Sequence, residues 1–175
     1  MNMEVIVRKA SLGDEASIAR VHVAAWQAAY TEFMGSEFLN SLSIDQRKEM
    51  WENALKQPGG GKYLVAEVQN HIQGFAVFGP ARDSDLDKSS SELVALNVHP
   101  EFWRQNLGTS LLKRVLESVS KESYKSLHLW VIKGNTPAIK LYERFGFEYS
   151  GRSKTDSNHS GNPLHELRYS KSLVG

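Results

Sequence analysis

The chain contains no cysteine among its 175 residues. That excludes disulfides, thiolate metal sites and a cysteine nucleophile, and it fits a reducing compartment. Long apolar runs are missing too: nothing approaches the ~20 residues of a membrane span. The first nine residues carry Glu4 and Arg8 in a strand-like stretch with no apolar segment of signal-peptide length. A soluble, cytoplasmic protein is expected. No sign of charge dominates, because 21 Lys and Arg against 20 Asp and Glu leave a net charge of +1. With no basic tail or block of like charges, nothing points to nucleic acid or to an anionic membrane. A Gly-x-x-x-x-Gly-Lys-Ser/Thr loop is absent, which makes a nucleotide-phosphate binder a poor reading. His22, His159 and His165 have no metal-ligand spacing with other ligands, so no metal is expected.

What is present is ordinary for one soluble domain over residues 1–175: 41% hydrophobic and 23% charged residues. Val5 and Val7 open a strand. Ser11 reads as the N-cap of a helix with Asp14 and Glu15 in its first turn, followed by Ile18, Val21, Ala25 and Ala28 at helical spacing. Ser43 and Gln46 form a capping box for a second helix, and 58–61 (Pro-Gly-Gly-Gly) break it. Residues 63–68 and 72–78 read as a hairpin. Residues 80–91, with Asp83, Asp85 and Asp87, read as a mobile loop. Strands follow at 93–98, 127–132, 147–149 and 164–169, with 153–162 read as a polar loop. Two helices lie between them. The first carries Leu107, Leu111, Val115 and Val119 on one face. The second has Thr136 as its cap, Pro137 at its first position and Gly146 at its end. The order β-α-α-β-β-β-α-β-α-β-β predicts a mixed sheet covered by helices.

Two stretches carry chemistry. In 96–112 an apolar strand stops at Pro100, a polar turn follows, and a helix begins. The first turn of a helix offers unpaired N–H groups and the positive end of its dipole, which together suit a diphosphate. Alone, this loop fits an ordinary strand–turn–helix joint equally well. About forty residues on, Asn135-x-x-Ala138-x-x-x-Tyr142-x-x-x-Gly146-Phe147 supplies a second signal at a helix start.

The order of elements and these two motifs resemble the GNAT superfamily of N-acetyltransferases. The resemblance implies an α/β (α+β) fold: a mixed sheet of six to seven strands, helices on both faces, and a splayed cleft between two central parallel strands. It implies acetyl-CoA as cosubstrate and a small-molecule or peptide amine as acceptor. The family's diphosphate motif, Arg/Gln-x-x-Gly-x-Gly/Ala, falls on 103–108. Trp103 replaces the usual Arg or Gln, and Asn106 replaces the first glycine. Asparagine is one of the few other residues that tolerates positive φ. The second motif matches without departure.

Residue by residue, the resemblance places the diphosphate on the backbone of Arg104, Gln105, Asn106, Leu107, Gly108 and Thr109, with added contacts from the Arg104 charge and the Thr109 hydroxyl. It places the pantetheine arm along Leu96 and Val98, one of whose N–H groups polarises the thioester. Asn135 and Ala138 complete the arm's contacts. Tyr142 protonates the departing thiolate. Its alternative, from periodicity, is a core tyrosine. Glu92, or water, takes the amine proton; a surface glutamate at a strand end is the alternative, and His99 and His128 are weaker bases. His22, Trp26 and Tyr30 share a helix face. Trp26 and Tyr30 are aromatic candidates for the acceptor site, against plain packing on the second helix. A catalytically weak CoA-binding domain is the competing function. The edge strands and helix faces permit a homodimer.

Overall fold

The computed structural model describes residues 3–157 and 162–175; His159, and residues 158–161 of the predicted polar loop, lie outside them. The strands are β1 (Val5–Lys9), β2 (Lys62–Val68), β3 (His71–Pro80), β4 (Ser90–Val98), β5 (Ser126–Ile132), β6 (Glu148–Asp156) and β7 (Leu164–Ser172). They form one seven-stranded sheet in the order β1-β2-β3-β4-β5-β7-β6. All neighbours are antiparallel except β4 and β5, which run parallel. The helices are α1 (Glu15–Ala29), α2 (Ser36–Asn40), α3 (Ile44–Lys56), α4 (Leu107–Lys121) and α5 (Thr136–Arg144), with a 3-10 turn at Pro100–Phe102.

The two periodicities of the sequence explain the layers. Along β2, Leu64, Ala66 and Val68 face a core built with Leu107, Leu111, Val115 and Val119 of α4. Val65, between them, faces the opposite core with Ile18 and Val21 of α1 and Trp51 of α3. Alternation along the strand and a four-residue stripe on the helix therefore meet face to face. Each such fully buried Leu or Val contributes about 1.5–3 kcal/mol. A third, smaller core of Met34, Leu39 and Ile132 covers the end of β5 and takes in Trp26 and Tyr30. The β2–β3 turn has Gln69 at φ 51° and Asn70 at φ 65°, the left-handed pair that a two-residue hairpin matched to strand twist requires.

One irregularity positions the site. The strands β4 and β5 pair only from Ser90 opposite Ser126 to Leu93 opposite Leu129. Beyond that point β4 follows β3 to Val98, while β5 follows β7 to Ile132. At the parting, Val77 faces Ala95 and Phe78 faces Leu93, so Val94 is an extra residue in β4. A bulge bends the strand that carries it, and β4 leaves β5 here. The extra residue also shifts the alternation, which is why Leu93 and Leu96, three apart, both join the α4 core. The outcome is the splayed cleft between two central parallel strands.

Several expectations need correction. The cap of α1 is at Asp14, not Ser11; residues 11–14 form a turn in which the Asp14 carboxylate accepts from Ser11 N–H and from Arg8. Residues 36–40, to which the sequence assigned no element, form α2, held by buried Leu39. The α5 cap position is Asn135 rather than Thr136. The strand β6 runs to Asp156 although its residues are exposed, because an edge strand is held by backbone pairing with β7 rather than by an apolar face. The stretch 80–91 is not a mobile loop. Pro80 ends β3 and Ser90 begins β4, and the residues between are tied down: Asp83 accepts from Trp130 Nε1 (3.0 Å) and Arg168 Nη1 (3.0 Å), and Asp85 takes both terminal nitrogens of Arg168 (2.8 and 2.7 Å).

Candidate active site

The turn before α4 is shaped by left-handed backbone. Arg104 sits at φ 61° and Asn106 at φ 67°, and Asn106 is the cap position, without a side-chain cap bond. The first helical bond runs from Ser110 N–H to the Asn106 carbonyl at 2.9 Å. The N–H groups of Leu107, Gly108 and Thr109 therefore point out of the helix start, the arrangement that suits an anion. A Cβ added to Gly108 would meet only Leu141 Cδ2, at 3.5 Å. The fold itself does not need a glycine there, and the open side is the one a ligand would use. Gln105 spends its side chain on the Glu101 carbonyl, at 3.0 Å.

The N–H of His99 bonds to the Gln73 carbonyl at 2.8 Å. In an antiparallel pair such bonds alternate, so with His99 facing β3 the backbone groups of Asn97 face β3 too. Those of Leu96 and Val98 face the cleft, where β5 has departed. These are the two residues the resemblance picked. Trp103, whose role the sequence left unread, acts here: its indole Nε1 donates to the Val98 carbonyl at 2.7 Å. Of the cleft-facing groups this leaves both groups of Leu96 and the Val98 N–H without that claim on them.

Across the cleft, Tyr142 lies on α5, buried, with its ring against Phe147 at 5.8 Å between centroids. Burial, reinforced by nearby Tyr30, pushes its phenol well above its ordinary value, so it stays protonated. The hydroxyl has no hydrogen-bond partner among the described residues, yet it is not one of the sealed-in polar atoms. Tyr142 is packed into the core, as its periodicity suggested, and its proton is committed to no partner among the described residues. Asn135 accepts Ile139 N–H on its carbonyl at 3.1 Å and makes no side-chain cap bond. Ala138 packs beside it on the α4 core.

On the other face of the sheet, Glu92 is buried, not a surface residue. It lies opposite Gly79 and His128, just below the point where the strands part. Its Oε1 accepts from Arg82 N (3.1 Å) and Nε (3.3 Å), and its Oε2 from Arg82 Nη2 (2.6 Å). His128 places Nε2 2.9 Å from Ser126 Oγ, while its Nδ1 is buried without a partner. Burial, then the charge of Arg168, lowers the pKa of His128; burial, then Arg20, lowers that of His99.

His22 belongs to the core. Its Nδ1 accepts from Trp51 Nε1 at 3.1 Å, and burial holds its pKa down at about 4. Trp26 and Tyr30 continue the aromatic row, edge to face at 5.4 Å, and reach the end of β5. Glu166, which the sequence did not single out, lies opposite Ile132 on β5 and Lys154 on β6. Its Oε2 is 4.0 Å from Lys154 Nζ, and that ammonium sits 4.2 Å from the Trp130 ring centroid. Alongside is a cavity of about 280 Å³, bounded by Glu32, Phe33, Ile132 and His165 among others. Among the described residues, no group of three or more His, Cys, Asp or Glu side chains gathers as a metal site, and no helix is long and apolar enough to cross a membrane.

Residues 23–147 match the model of the acetyltransferase (GNAT) family. The chain belongs to this family. It is similar to the uncharacterized N-acetyltransferase YuaI of Bacillus subtilis, with 34% identity over 145 residues covering 82% of this chain and 80% of that one. The spermine/spermidine N(1)-acetyltransferase of the same organism is 26% identical over 153 residues, covering 85% and 91%. In fold, the chain matches the PaiA N-acetyltransferase of Thermoplasma acidophilum, solved in complex with coenzyme A, at a TM-score of 0.77 and 19% identity, covering 97% and 99%. The GNAT cleft thus lies between β4 and β5, with α4 and α5 at its sides.

Proposed function

We propose that this chain is an N-acetyltransferase that moves an acetyl group from acetyl-CoA to a primary amine of a small molecule or peptide by direct attack. Residues 1–175 are read as one such domain, acting in the cytoplasm. The observation that carries the proposal is the continuity of the cleft. Free N–H groups at the start of α4 lead to the cleft-facing backbone of Leu96 and Val98, and from there to the unspent hydroxyl of Tyr142. The residues present fit acetyl-CoA: the left-handed turn at Arg104 and Asn106 and the open face of Gly108 make an anion cradle, and the parted strand offers pairing to an amide-bearing arm.

Acetyl-CoA supplies a thioester with an electrophilic carbonyl carbon and a thiolate leaving group. The chain's own groups do the rest. The cradle of 104–109 and the side chain of Asn135 hold the cosubstrate in place. An N–H of Leu96 or Val98 donates to the oxygen on which negative charge develops. Tyr142 gives its proton to the sulfur as it leaves. The proton that an ammonium must lose goes to a carboxylate of the opposite face, directly or through water; Glu92 is the one the sequence offers. Trp26 and Tyr30 line the acceptor side. With no cysteine in the chain, a cysteine acyl-enzyme is excluded.

The reading of a CoA-binding domain without catalysis rested on Trp103 and Asn106. Asn106 in the left-handed region supplies what the family's glycine supplies, which favours the enzyme. The test is a thermal shift with coenzyme A, then turnover. The wild type is expected to show a shift that Gly108→Trp loses, with the melting temperature of the free protein little changed. Tyr142→Phe keeps the shift and loses roughly 10²–10⁴ in kcat. No shift in the wild type refutes the proposal.

A further inference from the structure

Glu92 and Glu166 both lie on the acceptor face of the sheet, and they differ in every respect that matters to a proton acceptor. Glu92 sits where β4 and β5 are still paired, opposite His128 and short of the last pair, Leu93 with Leu129. Both of its oxygens are bound to Arg82. An incoming ammonium would have to displace a guanidinium to reach it. Glu166 lies opposite Ile132, three residues or about 10 Å past Leu129 along β5, where the strands have parted. Its one ion-pair contact among the described residues is Lys154 Nζ at 4.0 Å, and that ammonium is shared with the face of Trp130.

The surroundings of Glu166 point the same way. Ile132 and Leu164, on its face, belong to the small core with Trp26 and Tyr30. Tyr30 is within electrostatic reach of both Glu166 and Tyr142. The carboxylate thus stands beside the aromatic wall, and Tyr30 is near both it and the proton donor.

Building on the acetyl-transfer reading, we infer that Glu166 is the carboxylate that takes the proton from the acceptor ammonium, and that Glu92 is a positioning residue that ties the β3–β4 connection through Arg82. The balance is simple. The ammonium gives one proton to Glu166 and becomes a neutral amine. As its nitrogen bonds to the carbonyl carbon and the carbon–sulfur bond breaks, Tyr142 gives its proton to sulfur. The second amine proton refills the phenolate, and Glu166 releases its proton to solvent. Burial raises the proton affinity of Glu166, with Asp156 adding to the effect and Lys154 opposing it. Tyr30 from α1, Arg168 from its own strand and Arg152 from β6 also carry ionisable groups here, with Asp83, Asp85, His128 and the Glu92–Arg82 pair further along the face and Glu32, Lys133 and His165 around the adjoining cavity. The acid limb of the rate profile is therefore expected above the ordinary glutamate value of 4.5.

The experiment measures kcat against pH with acetyl-CoA and three probe amines: spermidine, a peptide with N-terminal alanine, and benzylamine. A limb that belongs to Glu166 keeps its position across acceptors of different amine pKa. Glu166→Gln is expected to lower kcat by about 10²–10⁴-fold and to abolish that limb, while Glu92→Gln keeps it. Glu166→Asp, which keeps the charge, retains the limb at a lower rate and serves if the Gln variant does not fold. A limb that survives in Glu166→Gln, or one lost in Glu92→Gln instead, overturns the inference and leaves acetyl transfer standing. Failure of the wild type to acetylate any probe overturns the acetyl-transfer reading and the inference together.

Discussion

Asn106 occupies φ 67° at the cap of α4, and its side chain makes no cap bond. Its contribution is therefore conformational, and that can be isolated. A left-handed residue with a Cβ but no local hydrogen-bonding group costs about 1–2 kcal/mol. Asn106→Ala is expected to lose that amount, whereas Asn106→Gly is expected to lose nothing, since glycine enters this region freely. For a chain of this size 1 kcal/mol moves the melting temperature by about 2–4 °C, so the alanine variant melts about 2–8 °C lower and the glycine variant stays level or rises. Coenzyme A then reads the cradle. A ligand at about 100 times its dissociation constant stabilises by ~2.7 kcal/mol, or about 5–11 °C on the same scale. The glycine variant keeps this shift in full, and the alanine variant shows a smaller one at equal concentration. Differential scanning fluorimetry across a coenzyme A series measures both. Equal melting temperatures for Asn106→Ala and Asn106→Gly would refute the argument that the left-handed backbone is why asparagine stands here.

Trp103→Phe removes the donor that holds the Val98 carbonyl. A net hydrogen bond of about 0.5–1.5 kcal/mol predicts a melting temperature about 1–6 °C lower, read by the same melts; coenzyme A binding is expected to weaken because the end of β4 loses its brace. His22 sets an acid limit on stability. Its pKa is about 4 in the fold and 6.5 as an ordinary histidine. Below pH 6.5 the unfolded chain binds this proton and the folded one resists, so stability is lost as pH falls from 6.5 towards 4, by roughly 3 kcal/mol at 1.36 kcal/mol per unit. Denaturant midpoints across that range should show a shallower fall in His22→Gln; an unchanged slope counts against it.

Much of the cradle was readable because it rests on local backbone demands. Asn106 was expected at positive φ because asparagine stands where the resembled motif has a glycine; at α3, Ser43 Oγ accepts Gln46 N–H at 3.2 Å, one half of the expected capping box. The cleft-facing parity of Leu96 and Val98 follows once one bond, His99 to Gln73, fixes the alternation. The left-handed Arg104 carried no such signal, because arginine has no preference for that region. The polar ties were unreadable for a different reason. Asp83 and Asp85 meet Arg168 more than eighty residues away, and an acidic stretch without its partner looks like a solvated loop.

The same logic explains why Glu166 escaped notice and why it matters. By sequence β7 is the last strand, and its Glu166 and Arg168, alternating with Leu167 and Tyr169, look like an outward-facing polar row. By position it is interior, between β5 and β6, so that row faces packed structure. Charges buried there need partners. Arg168 has two, Asp83 and Asp85, at 3.0 Å or less. Glu166 has Lys154 at 4.0 Å, an ammonium also committed to an aromatic ring. Two charges two residues apart on one strand thus stand in opposite conditions. Arg168 is held at both terminal nitrogens by two carboxylates, as a structural brace must be, and only its buried Nε lacks a partner among the described residues. Glu166 keeps capacity for a proton or a cation, as an acceptor site for an amine requires.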